Sequence, residues 1–221
     1  MYQYKYPHPA VTTDVAIFTI RDKQLKLLLI IRGGKANNDK WALPGGFVEI
    51  DEDLETGARR ELEEETGVSG VFLEQLFTFG EVERDPRGRV ITVAYFALIP
   101  SDKIELRAAS DAKAVDWINM DALPELAFDH RAIVERAHQR LTAKLDYSTI
   151  AFQFMPDEFT LSELQEVYEL ILCEEMDRRN FRKWVLALEQ IEATGNERRT
   201  GAHRPAKLYR VKNPDKVEII K

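Results

Sequence analysis

Between residues 46 and 68 the chain reads GFVEIDEDLETGARRELEEETGV, which sets Gly46, Glu52, Arg60 and the carboxylates Glu61, Glu64 and Glu65 at fixed intervals. Residues three or four apart share a helix face, so a helix over Leu54–Thr66 gathers Glu61, Glu64 and Glu65 and turns Ala58 and Leu62 towards a core. Asp53 is placed to cap that helix, and Gly67 lies just past its end. Three carboxylates that close repel one another, which raises their affinity for protons unless a cation sits among them. Oxygen-only donors suit the hard ions Mg²⁺ and Mn²⁺. A cation held there could neutralise negative charge and sharpen a bound water into a nucleophile. The alternative is a solvated acidic helix face, which is what a glutamate run usually is.

Together with Leu62 and Val68, those residues fill every specified position of the Nudix box, and the segment resembles the Nudix hydrolases. The resemblance implies a loop, helix and loop holding a divalent cation against a nucleoside diphosphate linked to another group. It assigns metal coordination to Glu61, Glu64 and Glu65 and to a backbone carbonyl beside the box glycine, here Gly45. Arg60 and Glu52 then brace the loop, and the five side chains Glu52, Arg60, Glu61, Glu64 and Glu65 make up the expected catalytic set. In related ADP-ribose pyrophosphatases the general base often comes from outside the box. Glu81, Asp102, Glu105 and Asp111 are the candidates here, and none stands out. Beyond the box, Arg32 ends a strand and could meet a phosphate, while Phe79 and Tyr95 could stack on adenine, although strand aromatics are more often core.

The elements that must position this chemistry are strands over Asp14–Ile20 and Leu25–Arg32 around the turn RDKQ, then Trp41–Val48 leading through LPGG into the box. Long strands over Val71–Val82 and Val90–Ile99 flank ERDPRGR, and a shorter one covers Ala114–Ile118. Asp129 can cap a helix from His130 to about Leu145, where Ile133, Val134, Ala137 and Leu141 keep helical spacing. This order suits a sheet between helices. The pattern loosens through YSTIAFQFMP, which marks a boundary and gives domains over residues 1–148 and 149–221.

Charge divides the chain as well. Residues 178–221 hold twelve basic and five acidic residues, net +7, so the remainder, with 19 against 33, is −14 and the whole is −7. A basic end on an acidic body points to a polyanionic partner. Thr160, Leu161, Ser162 and Glu163 form a capping box ahead of an amphipathic helix with Leu164, Val167, Tyr168, Ile171 and Leu172 on one face. A second helix over DRRNFRKWVLALEQI carries Phe181, Trp184, Val185 and Leu188, with Arg178, Arg179, Asn180, Arg182 and Lys183 at its first turns. TGNERRTGAHRPAKLYRVK then reads as a hairpin bearing Arg204, Lys207 and Arg210. Two helices and a basic hairpin describe a winged helix-turn-helix whose second helix enters a major groove while the hairpin touches backbone, and the pattern equally suits a solvated basic surface on a small packing module.

The runs FTLSELQEVYELIL, DRRNFRKWV and RPAKLYR, with AFDHRAIVERAHQRL and YPHPAVTTDVAIF, resemble the Nudix-related transcriptional regulators of NAD metabolism, NrtR. That resemblance implies an α/β Nudix sandwich with a mixed sheet followed by a small winged helix-turn-helix. It implies a homodimer on a double-stranded DNA operator, released by ADP-ribose or a related nucleotide. A whole box adds expected hydrolysis of that nucleotide. The alternatives are a plain Mg²⁺-dependent Nudix hydrolase and a sugar-responsive regulator of the same build. The single cysteine, Cys173, excludes an intrachain disulfide and, lying in LILC, is expected to be a buried structural thiol. No signal-peptide pattern and no membrane-length apolar window is found in the sequence, so a cytoplasmic location with no membrane partner is expected.

Overall fold

The computed structural model describes residues 5–32, 40–100, 112–199 and 205–221. Among them, β1 (Ala10–Arg21) and β2 (Gln24–Arg32) form a hairpin whose two turn residues, Asp22 and Lys23, take φ of 53° and 59°. A two-residue turn with both φ values positive matches the right-handed twist of the strands it joins. The chain continues through β3 (Trp41–Ala42), β4 (Gly45–Phe47), α1 (Leu54–Thr66), β5 (Phe72–Phe79), β6 (Val90–Ile99), β7 (Ala112–Asn119) and α2 (His130–Leu145).

The described strands build a seven-stranded sheet in the order β3-β2-β1-β6-β5, with β4 paired to β1 and β7 to β2. β1 and β6 are central and buried along most of their length, and Val15, Ala16, Ile17 and Phe18 are fully enclosed. A strand buried on both faces needs apolar side chains on both, and DVAIFTI and VAYFALI supply them. β5 lies at the edge and is mostly open, so its apolar run ends earlier than Val82, the end expected from sequence. On α1, Asp53 accepts the Thr56 N–H, Ala58 and Leu62 face inward, and Gly67 closes the helix with φ of 74°.

The described residues of Met1–Phe18, Lys26–Leu98 and Glu105–His138 form one compact unit, and those of Thr19–Leu25, Ile99–Ile104 and Gln139–Lys221 another. In the second, α3 (Leu161–Leu172) and α4 (Arg178–Ala187) precede a hairpin of β8 (Ile191–Arg198) and β9 (Ala206–Val211). The expected capping box forms: Thr160 N–H donates to Glu163 Oε2 at 2.6 Å and Glu163 N–H to Thr160 Oγ1 at 3.2 Å. Tyr168 packs edge-on against Phe181 and Trp184, each with ring centroids 5.4 Å away, and so joins the two helices. Phe159 exchanges two backbone hydrogen bonds with Tyr209 at 2.9 and 2.8 Å, which fixes the hairpin to the start of α3.

One sequence expectation is corrected here, and one irregular stretch is explained. Within YSTIAFQFMP, Ile150–Phe154 forms a 3₁₀ helix, and Ile150 and Ala151 are fully buried. The C-terminal residues cover it, with Thr149 N–H donating to Glu218 O at 2.9 Å, Glu218 N–H to Thr149 Oγ1 at 2.8 Å and Ile220 N–H to Tyr147 O at 2.9 Å. The irregular pattern reflects a helix too short to show a 3.6-residue period. Cys173 is exposed rather than buried, because it is the C-cap of α3 in the left-handed conformation, φ 54°, which turns it off the apolar face of LILC.

Deleting residues 217–221 removes those three hydrogen bonds. Net values of about 0.5–1.5 kcal/mol each predict a loss of roughly 2–4 kcal/mol of stability in the second unit. Denaturant unfolding should show it, and limited proteolysis should gain cleavage within 146–157; an unchanged midpoint and digestion pattern would refute the role of this latch.

Candidate functional site

The site is built on the turn between β3 and β4. Gly45 lies opposite Asp14 in the β1–β4 register, and Pro44 O accepts Val15 N–H at 2.9 Å. With φ of 149°, a Cβ on Gly45 would sit 2.1 Å from Thr13 O, so only glycine lets this backbone lie against β1. The Gly45 N–H then donates to Glu65 Oε2 at 2.6 Å. That bond explains why Glu65 is 8% exposed on α1 although it is a carboxylate. Gly46 opens the space for another: a Cβ there would meet Glu61 Oε1 at 2.3 Å.

Arg60 organises the remaining carboxylates. Its Nε and Nη2 donate to Glu52 at 3.0 and 2.7 Å, its Nη1 to Glu61 at 2.8 Å and Glu64 at 3.3 Å, and its Nη2 also to Phe47 O at 3.1 Å. This hydrogen bonding, with Glu49 N–H as a second donor, draws the Glu52 carboxyl down to about 2. The same pairing, to Glu52 first and Glu61 next, raises Arg60. Sequence reasoning left the repulsion among Glu61, Glu64 and Glu65 to a metal ion. The fold answers part of it with a guanidinium, holding Glu61 and Glu64 through Arg60 and turning Glu65 to the Gly45 amide.

The donors fit a hard divalent cation in kind: three carboxylates on consecutive positions of one helix face, a glycine cradle that a Cβ would fill, and no nitrogen or sulfur ligand among them. Among the described residues no three His, Cys, Asp or Glu side chains already converge on one point.

The other nucleotide candidates are spread out. Tyr95 pairs with Gln75 and lines a hollow with Asp53, Glu55 and Arg59 at the head of α1, where burial and then the Glu55 and Asp53 charges raise its hydroxyl. Phe79 is half-buried opposite Thr92 and edge-on to Phe77. Arg32 ends β2 opposite Ala112 after a register shift. Glu81 is exposed, whereas Asp102, Glu105 and Asp111 lie outside the described residues.

A second group beside Gly45 and Gly46 was missed altogether. Asp14, Arg84, Asp85, Arg87, Phe128 and His130 line a small cavity there. Arg84 donates twice to Asp129, at 2.9 and 2.6 Å, and its Nη2 lies 3.5 Å from Asp14. Arg87 grips Asp85 at 2.6 Å, which keeps that carboxyl below its ordinary range, and stands 5.4 Å from the ring centres of both Phe47 and Phe128. The available sequence signals were a lone acid inside the apolar run VTTDVAIF and the unusual run AFDHR.

In the second unit, Arg178, Arg179, Asn180, Arg182 and Lys183 are all exposed on the first turns of α4, opposite the buried Phe181 and Val185. Asp177 caps the helix by accepting Asn180 N–H at 2.8 Å, and Arg178 reaches Ser162 at 3.2 Å. Lys207 and Arg210 are exposed on β9, Arg210 paired with Glu192 at 2.6 Å, while Arg204 lies outside the described residues. The structure adds Arg198, on β8, which binds Glu163 at 2.7 Å and the Glu158 carbonyl at 3.0 Å. Arg178, Arg182 and Lys207 line one groove with the N-terminal turn of α3.

Comparison with known proteins matches residues 11–137 to the NUDIX domain and residues 151–211 to the NrtR DNA-binding winged helix domain. The ADPR responsive transcriptional repressor NtrR of Acinetobacter baylyi is 40% identical over 209 residues, covering 93% of this chain and 83% of that protein. The crystal structure of Shewanella oneidensis NrtR complexed with a 27mer DNA superposes with a TM-score of 0.83 at 38% identity, over 93% of this chain and 95% of that one. The NUDIX domain of the same protein complexed with ADP ribose gives a TM-score of 0.58 at 37% identity, over 63% and 94%.

The Arg60 brace yields a pH prediction. Because the Glu52 carboxyl is lowered from the ordinary 4.5 to about 2, its contribution to stability is complete above about 4.5 and is lost as pH falls through about 2. Side-chain carbon NMR should place the Glu52 midpoint near 2, and Arg60→Gln should return it towards 4.5. A wild-type midpoint already near 4.5 would contradict the brace.

Proposed function

Because this chain belongs to the NrtR family of Nudix-related transcriptional regulators, we propose that it represses transcription from a palindromic operator and releases that DNA when ADP-ribose occupies its Nudix domain. The observation that carries the reading is the presence, in one chain, of a complete box built around Gly45, Gly46 and Glu65 and of a helix presenting four cations away from its packed face. In this reading Arg178, Arg179, Arg182 and Lys183 face the major groove with Asn180, and Lys207, Arg210 and Arg204 follow the backbone. A homodimer supplies two such helices for half-sites about 34 Å apart. ADP-ribose acts by binding the low-affinity state of the protein better than the operator-bound state, since a ligand that binds both equally shifts nothing.

The intact box further supports hydrolysis of ADP-ribose to AMP and ribose 5-phosphate. Glu61, Glu64, Glu65 and the Gly45 carbonyl would hold Mg²⁺ or Mn²⁺, which supplies charge neutralisation at the diphosphate oxygens. The chain's own contribution is positional. Glu65 orients Gly45 through its amide, Arg60 and Glu52 hold the Phe47 carbonyl and the loop after it, and the glycines let backbone approach the diphosphate.

Titration of upstream palindromic DNA tests the regulator. Affinity should fall steeply with salt as phosphate counterions are released, and ADP-ribose should weaken operator binding far more than nonspecific binding. Arg182→Ala with Lys183→Ala should flatten the salt slope by about one unit for each phosphate no longer neutralised, or cost about 1–3 kcal/mol on the operator alone where a base is read. Equal, salt-insensitive binding by wild type and variant would leave only a hydrolase.

Product analysis with Mg²⁺ or Mn²⁺ tests the hydrolase. Glu65→Gln should lower turnover by roughly a hundredfold or more, the scale of losing a positioned carboxylate. Wild-type protein that turns over neither ADP-ribose nor other nucleoside diphosphate derivatives would reduce the domain to a sensor.

A further inference from the structure

The Gly45–Gly46 turn is held from a third side, by the residues that begin α2. Leu43 N–H donates to His130 Nδ1 at 2.9 Å, across 87 positions of sequence. Trp41 and Leu126 form a parallel bridge, and Ala127 N–H donates to Trp41 O at 2.8 Å. Since His130 Nδ1 accepts a backbone proton, the ring's hydrogen belongs on Nε2, which faces Asp14 Oδ1 at 3.5 Å. Asp14 also lies 3.5 Å from Arg84, whose guanidinium is doubly bonded to Asp129, the residue before α2. The side chains of Asp14, Arg84 and His130 are all less than a tenth exposed.

A buried histidine that only stabilised the fold could join any two elements. This one joins the residue two places before Gly45 to the first residue of α2. The turn has little freedom to absorb displacement elsewhere, because Pro44 is bonded to Val15, Gly45 to Glu65, and Gly45 lies against Thr13. α2 runs for 16 residues, about 24 Å of continuous helix, and is the chain's path from the segment matched as NUDIX to the segment matched as winged helix. Close-packed interiors pass on small shifts rather than damping them.

Resting on the proposed regulator, we infer that His130 is a positioning residue that transmits occupancy of the Gly45–Gly46 turn to α2 and so sets the coupling between ADP-ribose and operator. Asp14 orients its ring and Arg84 balances the buried charge. His130 need not touch the ligand or the DNA for this.

The test uses the full chain and measures the ADP-ribose Kd with and without operator DNA and the operator Kd with and without saturating ADP-ribose. Linkage requires the same coupling factor from both, typically about 5 to 150. His130→Phe keeps a ring but offers no acceptor to Leu43. It should bring the factor to within about twofold of one, while ADP-ribose alone and operator alone each bind within about threefold of wild type. His130→Asn, whose Oδ1 occupies the position of Nδ1 and can accept the Leu43 N–H, should restore most of the coupling, which a general loss of packing would not do. Asp14→Asn provides a near-isosteric variant should the Phe substitution not fold, and it should reduce the factor by about threefold or more. Full coupling in a folded His130→Phe, or in Asp14→Asn where the former does not fold, overturns the inference while leaving the regulator standing. Coupling abolished equally in His130→Phe and His130→Asn also overturns it. A wild-type factor of one overturns the regulator and this inference together.

Discussion

The hydrogen bond from Gly45 to Glu65 is the constraint on which the first unit's chemistry depends. A carboxylate nearly removed from water needs a donor, and a backbone amide aimed at it is a strong one. The amide can be aimed only because Gly45 lacks a side chain where Thr13 O passes. One interaction therefore fixes α1, β4 and β1 with respect to one another. It also leaves Glu61 on the neighbouring turn to occupy the space beside Gly46.

Around that bond, the fold distributes negative charge between two guanidinium centres of different character. Arg60 lies near the surface and spreads its donors over Glu52, Glu61, Glu64 and a backbone carbonyl. Arg84 is enclosed and serves Asp14 and Asp129. Buried ion pairs add little net stability once desolvation is counted, but they are costly to disrupt on one side only. The second centre is thus suited to holding a turn in place.

The second unit uses charge in another way. Its core is aromatic, with Tyr168 against Phe181 and Trp184, and α4 turns its cations away from that core. Two hairpin arginines, Arg198 and Arg210, already pair with Glu163 and Glu192 on partly exposed surfaces. Exposed pairs of this kind are worth only about 0–1 kcal/mol, so a phosphate backbone can compete for either guanidinium. Glu163 also closes the capping box of α3, which ties the seating of the hairpin to the start of that helix.

Many short-range signals were legible, although α4 stops at Ala187 and Ile191 begins β8 where the sequence suggested continuing helix. The ends of α1 and α2, the Asp53 cap, the Gly67 stop, the Thr160–Glu163 box and the amphipathic face of α4 all follow from residues within one or two turns of each other, where spacing alone decides which side chains meet. The Nudix box was legible for the same reason, since it lies almost wholly on one turn and one helix. Tertiary structure decided the rest. That a Glu65 oxygen accepts the Gly45 amide depends on where β1 lies, and Asp14, Arg84 and His130 meet only because strand order brings distant segments to one edge of the turn. The exposure of Cys173 and the burial of Ile150 depend likewise on a left-handed cap and on a tail some 70 residues along that folds back, neither of which leaves a periodic mark in the sequence.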